Sequence, residues 1–566
     1  MRRSVFITRC SILRRRRIEE LPTRQDTSAR KPIRSVAVMA GVALAFASVG
    51  VQLVRLAAKH ADAPSVAINA PMATGTSRPD IVDRKGRLLA NDVEMPSLYV
   101  DPQAVVDRDE LVEKLRKVLP ALNEQELRQA LGDKNRRFAW IERGLAPQVA
   151  QQVHNLGLPG LGFRQELKRA YPAGQLAGHL LGGVNVDNRA IGGIEQYLDA
   201  RGLVDPVLQA QATTRPAVLL SIDMSAQHAL EAELANAVTT YGAKGAAGLV
   251  MDVNTGELIA SASLPRVDPA HPSANPRPEE VDRITAGTYE LGSIFKMMTV
   301  AMALDRRQVT PQTMIDVSEP IKIGRFTIKD HHAASGSMSV RDVFLKSSNV
   351  GAGRLALGAG ADAQTSFLTK LGLTEQLSTD AGTVAFPVLP KIWGEAETAT
   401  ISFGHGMAVA PLQFAAAAAA LVNGGSYVIP TFLKRSAGQK VESRRVISEQ
   451  TSAALRKMMQ ANVVEQGGTG HRAAVAGVDV GGKTGTAEIA INGRYDPNAV
   501  IASFVAAFPI EKPRYLSLVL IYEPARTAAS AGQITASRTA APLTARLIER
   551  IAPLLGVATN RVANNG

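Results

Sequence analysis

From Val36 to Val54 the chain runs nineteen residues without a charge, VAVMAGVALAFASVGVQLV, between Arg34 and Arg55. As a helix rising 1.5 Å per residue, such a run spans about 28 Å, the depth of a bilayer's hydrocarbon core. A single transmembrane helix is predicted here. A uniformly apolar segment beside an arginine cluster argues against a buried core helix. A cleaved signal peptide competes, because Ala61-Asp62-Ala63 has the small-x-small form of a cleavage site. The basic region is about twice the usual length and the apolar stretch exceeds an ordinary h-region, so an uncleaved anchor is expected.

The charge distribution sets the orientation. The chain carries +13 overall, yet residues 1–35 alone hold eleven Lys/Arg against Glu19, Glu20 and Asp26. The remainder is close to neutral, which describes a basic tail rather than a nucleic-acid-binding surface. By the positive-inside rule the arm stays cytoplasmic and everything after residue 57 lies outside. Cys10, the only cysteine, falls within the arm, so no internal disulfide, cysteine-based metal site or C-x-x-C redox pair is available. The arm also has the composition to touch anionic lipid.

Residues 57–76 read as an Ala/Pro/Ser/Thr linker. From Arg78 to about Gln211 short strand and helix signals alternate, including helical DRDELVEKLRKVLP, and the glycine-punctuated stretch near Gly174–Gly193 reads as turns. A second domain is predicted from Arg215, where VLLSID has strand character and MSAQHALEAELANAV helical periodicity. Asn254-Thr255-Gly256 between two apolar runs signals a hairpin. Helices are expected from Ser293, at Pro411–Asn423 and at Thr451–Val464, strands at Ile501–Phe508 and Tyr515–Tyr522, and a closing helix through LTARLIERIAPLL. Strands at both ends with helices between predict an α/β domain whose sheet is assembled from distant segments.

Three short motifs carry the chemistry. Ser293-Ile294-Phe295-Lys296 places an amine three residues from a hydroxyl, on one helix face. Ser347-Ser348-Asn349 follows 54 residues after Ser293, and Lys483-Thr484-Gly485-Thr486 a further 136 on. The first two have decoys at Ser28–Lys31 and Ser273–Asn275, so order and spacing count for more than any one match. An S-x-x-K, S-x-N, K-T-G series is the pattern of penicillin-binding proteins and serine β-lactamases.

The chain resembles the class B penicillin-binding proteins, the serine D,D-transpeptidases that cross-link peptidoglycan, and within them the division-specific FtsI type. Beyond the three motifs the resemblance rests on Arg78, Asp83-Arg84-x-Gly86, Leu89-Ala90, Arg169-x-Tyr171-Pro172-x-Gly174, Gly192-Gly193-x-Glu195, Asn254-Thr255-Gly256, Pro411-Leu412-Gln413 and Gly467-Gly468-Thr469-Gly470. It implies an α+β, mixed fold: one membrane anchor (36–56), an elongated pedestal or dimerisation domain (57–214), and a serine β-lactamase-like transpeptidase domain (215–556) with an antiparallel sheet and flanking helices. A ten-residue tail, 557–566, would follow. This chain departs from the family pattern at Leu291, where proline is usual, at Pro79, where glycine is common, and at His405, often tyrosine. No departure removes a reacting group.

The resemblance also implies roles. Ser293 would attack the carbonyl between the last two D-alanines of a stem peptide, with Lys296 as general base. Lys483 would supply the cation that keeps Lys296 neutral, Ser347 would pass a proton to the leaving amine, and Asn349 would hold the substrate backbone. Lys483, Thr484, Gly485 and Thr486 would form the carboxylate-binding strand, with Thr486 the direct contact. No metal or cofactor is implied. The implied partners are stem peptides, β-lactams, the membrane, an FtsW-type glycosyltransferase and other division proteins, without nucleic acid.

Other readings are weaker. Gly477 to Thr484 fits the Walker A pattern in full, but the following TGTAEIAING is β-compatible and a P-loop requires a helix there. Asp330-His331-His332 reads as loop or surface rather than metal site, since adjacent histidines on an extended chain point apart. Trp140 and Trp393 read as packing residues, and Asp83, Arg84, Arg169 and Glu195 as structural ion-pair or turn residues. An elongation-specific enzyme, or an idle penicillin-binding scaffold or sensor, would share much of the motif set.

Overall fold

The structure is a computed structural model, and it describes residues 47–48, 77–133, 135–204, 216–324, 326–330, 336–491 and 493–557. The expected anchor, apart from Ala47 and Ser48, therefore lies outside the described residues, as do the basic arm, Cys10, His331 and His332. Among the described residues no helix is long and apolar enough to cross a membrane.

Residues 77–204 build a sheet around one long strand, Leu88–Val100. Strand Leu161–Ala170 pairs antiparallel with it in continuous register from Asn91↔Ala170 to Val100↔Leu161, and Ala139–Glu142 and Ile81–Val82 pair elsewhere along it. One face is buried by Leu98 and Val100 against Leu111, Leu115, Leu127, Leu131 and Val153 from three short helices. The first of these, Arg108–Val118, is fixed at both ends by its sequence. Asp107 caps the amides of Asp109 and Glu110, and Arg116 and Lys117 occupy the last turn, where cations favour the helix dipole. The glycine-rich stretch expected as turns also holds a helix, Gly193–Ala200.

The larger sheet has five strands in the order Gly481–Ile491, Arg494–Phe508, Tyr515–Tyr522, Gly245–Asp252 and Leu258–Leu264. It joins the two ends of the domain, as its sequence predicts. Every pairing is antiparallel, so the α/β reading is corrected to the α+β arrangement. Both faces are covered. Ala246, Val250, Phe504 and Phe508 pack against helices Met224–Tyr241 and Ala540–Ile551, while Leu249, Met251, Val505 and Leu518 face the side of helices Lys296–Asp305 and Pro411–Val422. Double coverage explains why Tyr515–Tyr522 reads YLSLVLIY with no polar face, every residue being buried. Ala415 to Ala420 are all buried, and their small side chains let the central helix approach its neighbours closely.

One other expectation changes, and one discounted reading meets the backbone it was discounted on. The VLLSID strand shrinks to Val218–Leu219 and pairs in parallel with Ile81–Val82 of the first sheet, not with the catalytic sheet. The Walker A match, discounted above because the run after it is β-compatible, does lead into strand Gly481–Ile491 and not into the helix a P-loop requires.

Candidate active site

Ser293 lies on a single 3-10 turn, Gly292–Phe295, and Lys296 opens the α-helix Lys296–Asp305. A 3-10 turn eclipses residues three apart, which aligns this pair more closely than an α-helix would. Lys296 Nζ stands 2.9 Å from Ser293 Oγ. The turn begins at Leu291, whose φ of −104° lies outside a proline ring's range. The Leu291 side chain is fully buried, so packing holds the entry to the turn at an angle a proline ring would not adopt.

The second motif arrives on the turn before helix Asn349–Ala359. Ser347 has φ +60°, the left-handed region, which disfavours a residue with a β-carbon by about 1 kcal/mol. This turn presents both its carbonyl and its hydroxyl to Lys296, at 2.6 and 3.0 Å. Asn349 Oδ1 is a further acceptor, 2.7 Å from the same amine. Asp330 anchors the turn: one carboxylate oxygen accepts from the amides of Asn349 and Val350, and the other accepts the Ser348 hydroxyl at 2.6 Å.

The third motif lies on the edge strand of the large sheet. Lys483 Nζ donates to Ser347 Oγ at 3.0 Å, so one hydroxyl bridges two lysines. Both amines are completely buried. A β-carbon on Gly485 would come within 2.4 Å of Ser503 Oγ and 2.6 Å of the Leu291 carbonyl, so only glycine lets this strand press against the turn that carries Ser293. Thr486 is partly exposed, and its hydroxyl oxygen accepts the Ala536 amide at 3.1 Å.

Burial dominates the electrostatics. Loss of water holds the Lys296 amine well below its ordinary range, the neighbouring Lys483 lowers it further, and Asp330 partly opposes both. Lys483 itself is lowered by burial to about 7. A neutral Lys296 has two protons to give and one lone pair. Ser347 O and Asn349 Oδ1 only accept, so they take the protons and leave the lone pair facing the hydroxyls of Ser293 and Ser347, at 2.9 and 3.0 Å. This arrangement is that of an activated nucleophile.

The predicted residues Ser293, Lys296, Ser347, Asn349 and Lys483 thus converge through direct contacts, with Thr484, Gly485 and Thr486 continuing the edge strand. Three contributors were not singled out by the sequence. Asp330 was weighed only for metal binding, eighteen residues before Ser348. Asn462, in helix Glu449–Val464, is fully buried and donates to the Gly482 carbonyl at 2.9 Å. Glu290 accepts the Gly406 amide at 2.9 Å and the Tyr495 hydroxyl at 3.0 Å, bracing the segment just before Ser293. Burial raises its carboxyl pKa. The His405 ring is tilted against Phe403 and meets Tyr495 edge-on, both with centroids 5.5 Å apart. Among the described residues no three His, Cys, Asp or Glu side chains form a metal-holding group.

Comparison with known proteins places this geometry. The profile of the penicillin binding protein transpeptidase domain matches residues 246–545, and that of the penicillin-binding protein dimerisation domain matches residues 73–198. The chain is 41% identical over 489 residues to the probable peptidoglycan D,D-transpeptidase FtsI of Caulobacter vibrioides, covering 85% of this chain and 82% of that one. It is 31% identical over 476 residues to the peptidoglycan D,D-transpeptidase FtsI of Escherichia coli K12, covering 79% of each. Among solved structures, the apo TP domain of Burkholderia pseudomallei penicillin-binding protein 3 superposes with TM-score 0.54 at 31% identity, covering 60% of this chain and 97% of that one. Penicillin-binding protein 3 of Mycobacterium tuberculosis, solved with aztreonam, shares the fold at TM-score 0.66 and 23% identity, covering 86% of this chain and 98% of that one.

Proposed function

The chain belongs to the class B penicillin-binding proteins of the FtsI type, peptidoglycan D,D-transpeptidases, and on that premise we propose that Ser293 is the nucleophile with which it cross-links stem peptides at the division septum. The supporting observation is the contact of Ser293 Oγ with a desolvated Lys296 whose protons are taken by the Ser347 carbonyl and Asn349 Oδ1.

In this reading Lys296 takes the hydroxyl proton as Ser293 attacks the carbonyl between the terminal D-alanines. The bond to the last D-alanine breaks and an acyl-enzyme forms. Ser347, touching both lysines, returns a proton to the departing amine. Backbone N–H groups of Ser293 and Thr486 stabilise the oxyanion, each worth roughly 3 to 4 kcal/mol in acyl-transfer sites. Asn349 holds the substrate amide, and Lys483 with its strand neighbours holds the terminal carboxylate. An amine from a second stem peptide then attacks the acyl carbonyl and frees Ser293. A β-lactam enters at the first step and stays attached.

The location belongs to the same proposal. Val36–Val54 anchors the chain in the inner membrane, with the basic arm cytoplasmic and the catalytic domain periplasmic. The boundaries 57–214 and 215–556 enclose the two profile matches. A membrane-embedded glycosyltransferase of the FtsW type is the expected companion. Intact-mass measurement after penicillin treatment should show one adduct that maps to Ser293, and Ser293→Ala should abolish it with an unchanged unfolding midpoint. An adduct persisting on the alanine variant would refute the nucleophile assignment.

A further inference from the structure

The turn that delivers Ser293 is gripped on two sides. Toward the edge strand, a β-carbon on Gly292 would stand 2.9 Å from the Thr486 carbonyl oxygen, so the two backbones touch. On the other side the turn is paired with residues 404–409. Tyr289 and Val409 exchange both backbone hydrogen bonds at 3.0 Å, and the Gly292 N–H donates to the Gly404 carbonyl at 3.2 Å. Between these two contacts, among the described residues, no backbone bond joins the segments. The Glu290 side chain fills that gap by accepting the Gly406 N–H at 2.9 Å.

The same carboxylate holds the far end of the hairpin that carries Lys483. The Tyr495 hydroxyl lies 3.0 Å from each Glu290 oxygen. Tyr495 stands beyond a break in that hairpin: the register jumps from Glu488↔Val500 to Ile489↔Asp496, so 497–499 face no partner there. Past the break 489–491 pairs only with 494–496, because the next strand joins from Ile501 onward. The hairpin end is therefore tied down through Tyr495, whose ring also meets His405 edge-on. Neither partner of Glu290 is a reacting group. We infer that Glu290 is a positioning residue that, by holding Gly406 and Tyr495 at once, sets the spacing between the turn of Ser293 and the strand of Thr486, the two elements whose N–H groups would form the oxyanion site. The inference rests on acylation at Ser293.

Stopped-flow mixing of the full-length protein in detergent with a fluorescent penicillin, across a range of concentrations, separates the dissociation constant of the first complex from the rate constant of acylation. Misfolding lowers the labelled fraction and leaves both constants of the folded molecules unchanged. Glu290→Ala should slow acylation at least about thirtyfold while the dissociation constant stays within about threefold, as expected when reacting groups are misplaced but binding is not. Tyr495→Phe cuts one of the two ties and should slow acylation about fivefold, and adding it to Glu290→Ala should slow nothing further. Glu290→Gln should stay within about threefold of the unaltered protein, because its amide oxygen can accept from Gly406 and its NH2 can donate to the Tyr495 oxygen. The inference is overturned if the glutamine variant is as slow as the alanine variant, if Tyr495→Phe acylates at the unaltered rate, or if the dissociation constant rises while the rate constant holds. Absence of any label on the unaltered protein would instead sink the acylation premise.

Discussion

Two clusters of charge-bearing side chains are buried in this protein, with opposite consequences. In the N-terminal region Arg78 and Arg169 grip the two oxygens of Glu195 at 2.7 Å each, and Arg169 also reaches Asp92 at 3.2 Å. The spare guanidinium protons go to the carbonyls of Asn188, Glu195 and Pro79. Cation and anion are thus matched and the donors satisfied, so the charges survive burial and the group serves as structure. In the catalytic domain Lys296 and Lys483 are equally buried, but their immediate partners are hydroxyls, carbonyls and an amide. Without a carboxylate in direct contact, burial removes protons. What separates scaffold from chemistry here is the pairing of the buried groups, since their burial is the same.

Substitutions can break each half of this comparison. Lys296→Met should cut the rate of Ser293 acylation by about 10³-fold, within the usual range for losing a general base. Stopped-flow measurement with a fluorescent penicillin reads it, and a loss below tenfold would remove the lysine from its role. Glu195→Ala leaves two guanidinium groups buried without their anion and should cost about 3 to 5 kcal/mol of stability. Urea denaturation checks this, and a cost under 1 kcal/mol would mean the network is not the scaffold described.

The pH dependence sharpens the comparison. Lys483 titrates near 7 when folded and near 10.5 when unfolded, so between these values the unfolded chain binds more protons and stability rises with pH. Lys483→Met should therefore raise the unfolding midpoint by more at pH 6 than at pH 9. An equal gain at both would show that the buried amine is not desolvated as described. The smallest effect belongs to the exposed pair Lys117–Glu113, 2.7 Å apart on one helix face. Lys117→Ala should leave the midpoint of the same denaturation assay unchanged within its error, because solvent screens so exposed a pair.

The sequence was legible where the physics is local or where motif order carries it. Strand Tyr515–Tyr522, the Asn254 hairpin and the alanine helix follow from apolar runs and turn residues over short windows. The residues that converge at the candidate site followed from motif spacing. Asp330, Asn462 and Glu290 did not, because each acts on a residue that only the fold brings near. An aspartate in a loop or an asparagine within a helix carries no spacing signal. The two-residue strand at Val218 was misplaced for a related reason: its composition fits either sheet, and only packing assigns it to the first.

The order of the large sheet bears on how the molecule is made. Strands Gly245–Asp252 and Leu258–Leu264 leave the ribosome well before their inner neighbour, Tyr515–Tyr522. Until it emerges, the early hairpin has an open edge, and the strand bearing Lys483 has no seat. Loop closure over such a separation is slow, and exposed edges invite wrong partners. A nascent chain therefore holds Ser293 long before it holds a complete site, and truncation ahead of Tyr515 should leave a product that cannot be acylated by penicillin at Ser293.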